Sequence, residues 1–200
     1  MIAIVDYGRG NLQSVRNAFR KIGEKAVIAK TPEQVGKAGK VVFPGVGNFG
    51  EAMKQLREKK LDYAIEWAIE EGKPFLGICI GLQALFEESA ESPDSEGLKV
   101  LQGTVEKFEG NGLKVPQIGW NQVEKAKESA LLEDVPDKSF FYFVHGYYAK
   151  PFDKDIVSGE TDYGGKYCSA VEKDNVFAVQ FHPEKSGTAG LKVLENFAEL

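Results

Sequence analysis

Two hundred residues, 42% hydrophobic and 28% charged, describe a single globular domain spanning 1–200, large enough to bury a core without disulfides or metals. A net charge of −5 with no Lys/Arg cluster argues against a nucleic-acid partner, and no apolar run approaches the roughly 20 residues that cross a bilayer. Two cysteines, Cys79 and Cys168, and two histidines without close ligand spacing argue against a disulfide framework and a metal site, and point to a reducing cytoplasm.

Met1–Asp6 reads as a buried strand, and its apolar run stops at Asp6 without the basic lead of a signal peptide. The glycine turn Gly8-Arg9-Gly10 leads into an amphipathic helix from about Asn11 to Ile22, with Leu12, Val15, Ala18, Phe19 and Ile22 on one face. Lys25–Ala29 is a second strand. Thr31-Pro32-Glu33-Gln34 has the form of a capping box with proline at the first helical position, so a short helix follows. Lys40–Phe43 is a third strand, ending in the turn Pro44-Gly45-Val46-Gly47. A helical stretch from about Phe49 to Glu71, broken near Lys59-Lys60, precedes the strand Pro74–Ile78, and a further helix is expected from Gly81 through Phe86. Strands alternating with helices imply a parallel sheet covered on both faces, with chemistry at the carboxyl ends of its strands.

Beyond Phe86 the pattern changes. Residues 87–97 read as an acidic, solvated loop. Short β-type runs follow at 103–108, 113–115, 122–125, 140–148, 156–161, 167–172 and 176–180, with hairpin turns at Glu109-Gly110-Asn111-Gly112 and Tyr163-Gly164-Gly165. A helix from about Gly187 to Leu200 closes the chain. One α/β domain with an added antiparallel portion accounts for this order.

The segment Gly77-Ile78-Cys79-Ile80-Gly81 places a thiol between a buried strand and a helix start, with flanking glycines that tolerate unusual backbone angles. Such a thiol needs a base and an oxyanion hole to attack a carbonyl, and a helix N-terminus behind it favours the thiolate. A small buried cysteine ending a strand is the plainer alternative. His182 and Glu184 shift the balance: two residues apart in extended chain, they point to one side, as a base and the carboxylate that orients it. Oxyanion donors are expected from the Ile80 amide and from Val46 or Gly47. His145 lies in the aromatic run 140–148 and reads as structural or pocket-lining, and Cys168 as structural.

With elbow, glycine turn and His-Pro-Glu in this order, the chain resembles the class I (triad) glutamine amidotransferases over its whole length. Six segments carry the resemblance: Asp6-Tyr7-Gly8-Arg9-Gly10-Asn11-Leu12, Pro44-Gly45-Val46-Gly47-Asn48-Phe49-Gly50, Gly77-Ile78-Cys79-Ile80-Gly81-Leu82-Gln83, Pro116-Gln117-Ile118-Gly119-Trp120-Asn121, Tyr142-Phe143-Val144-His145-Gly146-Tyr147-Tyr148 and His182-Pro183-Glu184-Lys185-Ser186. Within the family they are most similar to the branch that serves histidine biosynthesis. The resemblance implies a three-layer, flavodoxin-like fold with a mostly parallel central sheet and an added antiparallel β portion. It implies a glutaminase acting on L-glutamine without cofactor or metal, with Cys79 as nucleophile, His182 as base and Glu184 as its orienting carboxylate. Gln83, Glu91, Gly146 and Tyr147 would hold the substrate; Gly146 departs from the small hydroxyl residue expected there. The partner implied is a (β/α)8-barrel cyclase subunit, with Asn11, Trp120 and Lys185 near the interface of the heterodimer. The competing readings are a glutaminase serving another pathway, a γ-glutamyl hydrolase, and a non-catalytic docking subunit.

Overall fold

In the computed structural model, residues 1–110 and 112–200 are described; the turn expected at 109–112 includes Asn111, which lies outside the described residues. β1 (Ile2–Val5), α1 (Leu12–Lys21), β2 (Ala26–Ala29), α2 (Pro32–Gly36), β3 (Lys40–Gly45), α3 (Phe49–Glu58), α4 (Leu61–Glu70) and β4 (Phe75–Cys79) alternate as the apolar pattern requires. The expected boundaries hold where local chemistry sets them. Asn11 caps α1 by accepting from the Ser14 amide, and the Gln34 side chain accepts from the Thr31 amide ahead of α2. The break between α3 and α4 falls at Lys60, whose φ of 55° no helix accommodates.

The helix expected after the elbow is the main correction in this half. α5 (Ile80–Gln83) is a single turn. Its continuation is displaced because the carbonyls of Ala84, Leu85 and Phe86 accept from Leu98, Leu101 and Lys99 instead of from a next turn. A one-turn helix supplies little macrodipole, so the thiol owes little to that source. The acidic segment is likewise docked rather than free: Glu88–Ser89 form the short strand β5, and Ser92 Oγ accepts from the Gly50 amide.

The remaining strands are β6 (Gly103–Lys107), β7 (Gln117–Lys125), β8 (Ser139–His145), β9 (Tyr147–Pro151), β10 (Val157–Asp162), β11 (Lys166–Lys173) and β12 (Val176–Val179), before a 3-10 turn (Pro183–Lys185) and α6 (Gly187–Glu199). Residues 113–115 form no strand, β7 starts five residues earlier than expected, and Gly146 divides the 140–148 run into β8 and β9. The turn at 163–165 does join a hairpin, β10 with β11, whereas β6 pairs with β5 and β9 rather than with β7.

The sheet runs β2-β1-β3-β4-β12-β11-β10-β7-β8. Its first five strands are parallel, and the antiparallel strands begin at β11. In the parallel block, successive side chains feed opposite faces. Ile2 and Ile4 pack with Phe19, Leu194 and Phe197 of α1 and α6, while Ala3 and Val5 pack with Met53, Leu56 and Ile65 of α3 and α4. That three-layer arrangement brings the carboxyl ends of β3, β4 and β12 flush: Gly45 stands opposite Cys79, and Val179 opposite Ile78. At the far end the sheet is closed differently. Tyr142 of β8 accepts from the His182 amide at 2.9 Å and donates its own N–H to Ser186 Oγ at 3.0 Å. No helix among the described residues is long and apolar enough to cross a membrane.

Candidate active site

Cys79 ends β4 with φ 56° and ψ −106°, in the left-handed half of backbone space where a side chain costs on the order of 1–3 kcal/mol. The strain falls on the cysteine itself, a correction to the expectation that the flanking glycines would absorb it. Those glycines serve close approach instead. A Cβ at Gly77 would lie 2.5 Å from the Gly81 carbonyl oxygen, and one at Gly81 would run into the carbonyl of Phe43. The resulting tight elbow leaves the thiol 4% exposed at the end of the sheet.

His182 follows β12 by three residues, and its Nδ1 lies 2.9 Å from Glu184 Oε1, both side chains being 3% exposed. The pair is shaped by the 3-10 turn at Pro183–Lys185 rather than by extended chain, and Ser186 Oγ, donating to the His182 carbonyl at 2.6 Å, closes that turn. His182 Nε2 is buried without an N or O partner, as is Glu184 Oε2. Burial opposes charge on the imidazole, but the Cys79 sulfur and then the Glu184 carboxylate outweigh it and raise its pKa to about 10. A thiol, an imidazole and a carboxylate therefore stand in series, as proton transfer from sulfur requires.

The glycine turn lies directly beside the elbow. A Cβ at Gly45 would fall 2.9 Å from Ile80 Cβ and 2.8 Å from the Tyr7 hydroxyl, so only glycine lets the two loops meet. The Tyr7 hydroxyl sits 3.3 Å from both the amide and the carbonyl of Val46. Burial pushes that phenol up to about 12, so it stays protonated as donor to the carbonyl or acceptor from the amide. Gly47 has a φ of 99°, and Asn48 and Glu91 hold the start of α3 by accepting from Glu51 and Phe49 at 3.0 and 2.7 Å. Ile80, as the first helical residue, has an amide with no intrahelical acceptor.

The other expected residues fall in two groups. Gln83 is buried behind Cys79, its Nε2 donating to the Tyr147 carbonyl at 3.0 Å and to Gln180 Oε1 at 3.1 Å. Gly146 and Tyr147 follow β8 immediately, and the Tyr147 carbonyl also accepts from His145 Nδ1 at 2.7 Å. Trp120 is 57% exposed beside Tyr142, whose ring lies 5.6 Å from Lys185 Nζ. Asn11 is exposed after β1 but spends its side chain on the α1 cap. Cys168 is sealed within the sheet, where burial raises its pKa to about 12. No group of three or more metal-ligating side chains occurs among the described residues.

Sequence reading missed Gln180, Tyr7 and Tyr142. Gln180 carried a signal: it is the lone polar residue in the apolar run 176–181, and two residues before His182 it shares that residue's side of the chain. Tyr7 gave none, because its partner lies 39 residues away.

Comparison with known proteins bears on the fold and the family. The family model described as glutamine amidotransferase class-I matches residues 3–200. Among solved structures, a glutamine amidotransferase superposes with a TM-score of 0.78 at 20% identity, covering 99% of this chain and 97% of that one. PurLQS from Thermotoga maritima gives 0.79 at 19% identity, covering the same shares, 99% and 97%; at such identities both show the fold alone. The chain thus belongs to the class I glutamine amidotransferases. Its curated relatives narrow the family further. The imidazole glycerol phosphate synthase subunit HisH of Methanothermobacter thermautotrophicus is 52% identical over all of this chain and 98% of that protein. The HisH subunits of Thermococcus kodakarensis and Chlorobaculum tepidum are 52% and 48% identical over the full length of both chains. Within the class, the chain belongs with the HisH subunits of imidazole glycerol phosphate synthase.

Proposed function

We propose that this glutaminase of histidine biosynthesis hydrolyses L-glutamine through Cys79, His182 and Glu184. The observation that carries the reading is the buried Nδ1–Oε1 contact of 2.9 Å, made by an imidazole whose other nitrogen has no N or O partner and whose charged form the Cys79 sulfur favours. Cys79 gives its thiol proton to His182 as Sγ attacks the carboxamide carbon, and His182 passes that proton to the departing nitrogen, so ammonia leaves and a γ-glutamyl thioester remains. Water then attacks the thioester, giving its proton to His182; glutamate departs and the thiol is restored. Glu184 keeps the imidazole oriented and its charged form stabilised throughout. The Ile80 amide and one from Val46 or Gly47 receive the developing oxyanion. Gln83, Glu91, Gly146 and Tyr147 border the glutamine pocket.

The ammonia passes to a (β/α)8-barrel cyclase subunit, which makes imidazole glycerol phosphate and aminoimidazole carboxamide ribotide in the cytoplasm. Exposed Ile118, Trp120 and Phe140, with Lys185 beside Tyr142, support a docking face next to the His182 turn. Asn11, at the start of α1, is assigned to the edge of that face. The domain acts as one unit over 1–200.

The test is glutamate release from L-glutamine by this chain mixed with a cyclase barrel subunit, with and without the ribonucleotide ligand. Release that requires the mixture and disappears in Cys79→Ala supports triad and pathway together. Release undiminished in Cys79→Ala overturns the nucleophile; silence of a folded, associated mixture overturns the pathway.

A further inference from the structure

Beyond the triad, the end of β12 delivers a second side chain to the sulfur. Gln180 is fully buried, its backbone amide is held by the Ser169 carbonyl at 2.9 Å, and its Nε2 lies 3.6 Å from Cys79 Sγ. Which end of this amide meets the sulfur is settled by a chain of partners. The Tyr147 carbonyl can only accept, so the Gln83 group 3.0 Å from it is the nitrogen. The second hydrogen of that nitrogen meets Gln180 at 3.1 Å, where only the oxygen of Gln180 can receive it. The nitrogen of Gln180 is thereby turned to Cys79. The reverse orientation would set two donors against each other in a buried space and face a carbonyl oxygen toward the sulfur.

We infer that Gln180 is a further catalytic residue, a hydrogen-bond donor to the Cys79 sulfur, and that Gln83 is the positioning residue that aims it. This rests on Cys79 being the nucleophile. A donor on sulfur favours thiolate over thiol and again steadies the sulfur when it leaves the thioester as thiolate. His182, on the turn after β12, is the sulfur's charged neighbour, and Gln180 is the group that donates to it. Both hydrogens of Gln83 Nε2 are spent on Tyr147 and Gln180, so toward glutamine Gln83 offers an acceptor and no donor.

The titratable groups facing the sulfur or its partner imidazole are His182 with Glu184 behind it, Tyr7 from the β1 turn and His145 from β8; all are retained in the variants below. The measurement is the pH dependence of iodoacetamide alkylation at Cys79, with Cys168 sealed in the core, alongside glutamine turnover in complex with the cyclase subunit. In Gln180→Leu the alkylation midpoint moves up by about one pH unit and kcat falls about tenfold while KM stays within about twofold. Gln83→Met moves both the same way by less. Gln180→Met keeps the length and has no donor, covering the case in which the leucine variant does not fold, and it raises the midpoint to a similar extent. A folded Gln180→Leu or Gln180→Met protein with the wild-type midpoint and kcat overturns the assignment. Full turnover in Cys79→Ala would instead overturn the nucleophile on which it depends.

Discussion

Cys79 carries a positive φ that its neighbours enforce: β3 and β12 clamp its strand on both sides, and Gly81 is pressed against the Phe43 carbonyl. The same crowding puts its sulfur within reach of its partners. Removing the charge on one of them tests the series. Glu184→Gln keeps a hydrogen-bonding group near His182 Nδ1 but no longer stabilises the imidazolium, so kcat for glutamine falls by about 10²-fold or more with KM little changed; steady-state glutamate release measures it. Tyr7 tests the other half of the site. As long as the Val46 amide is held by the phenol at 3.3 Å, it cannot also meet an oxyanion. Tyr7→Phe removes the holding group for about 1 kcal/mol of stability, and glutamine turnover by the isolated chain rises severalfold; unchanged turnover would mean the phenol restrains nothing. At this scale the sequence was legible where chemistry is written in neighbours. Cys79 between glycines and His182 near Glu184 could be read directly, whereas Tyr7 and Gln180 act on residues 39 and 101 positions distant.

Elements show a similar division. The capping box at α2 and the break between α3 and α4 were readable because they are made by adjacent residues, and α1 was placed by its apolar face, though the Asn11 cap shows only in the structure. The length of α5 was not, since its end is set by residues 98–101 taking the carbonyls it would have used. Likewise the His182–Glu184 pairing was expected on extended backbone and arises from a 3-10 turn instead, because Ser186 draws the chain back onto His182. Two glycines of neighbouring elements separate steric fit from conformational freedom. Gly47→Ala meets no atom within 4 Å and suffers only its φ of 99°, a cost of about 1–2 kcal/mol. Gly81→Ala meets the β3 backbone, which cannot yield without parting the strands, and should cost far more. Urea unfolding of both variants reads the difference; equal midpoints would contradict the packing account.

At the scale of the molecule, parallel strand–helix alternation was legible as far as β4, because periodicity reports burial. The order of strands beyond it was not: β12, last in sequence, is inserted beside β4, and no local pattern announces that. The antiparallel end of the sheet encloses His145 of β8 among Tyr167 of β11, Phe143 of β8 and Phe108, which follows β6. Burial, against the Tyr147 carbonyl bond, lowers its pKa to about 4. Below the ordinary value near 6.5 the unfolded chain takes up a proton that the folded one refuses. Stability from this residue is therefore full above pH 6.5 and is lost as pH falls toward 4, by on the order of 3 kcal/mol. Urea unfolding at stepped pH should show that decline, and His145→Gln should flatten it relative to wild type; parallel curves would remove His145 as its source.

The closure of the sheet at β8 has one more consequence. Tyr142 turns its ring toward Trp120 and Lys185 at the surface, while its peptide grips His182 and Ser186. Outside and inside are two ends of a single residue. A body pressed against that aromatic face therefore has its hand on the histidine's own tether, with no relay through the core between touch and chemistry.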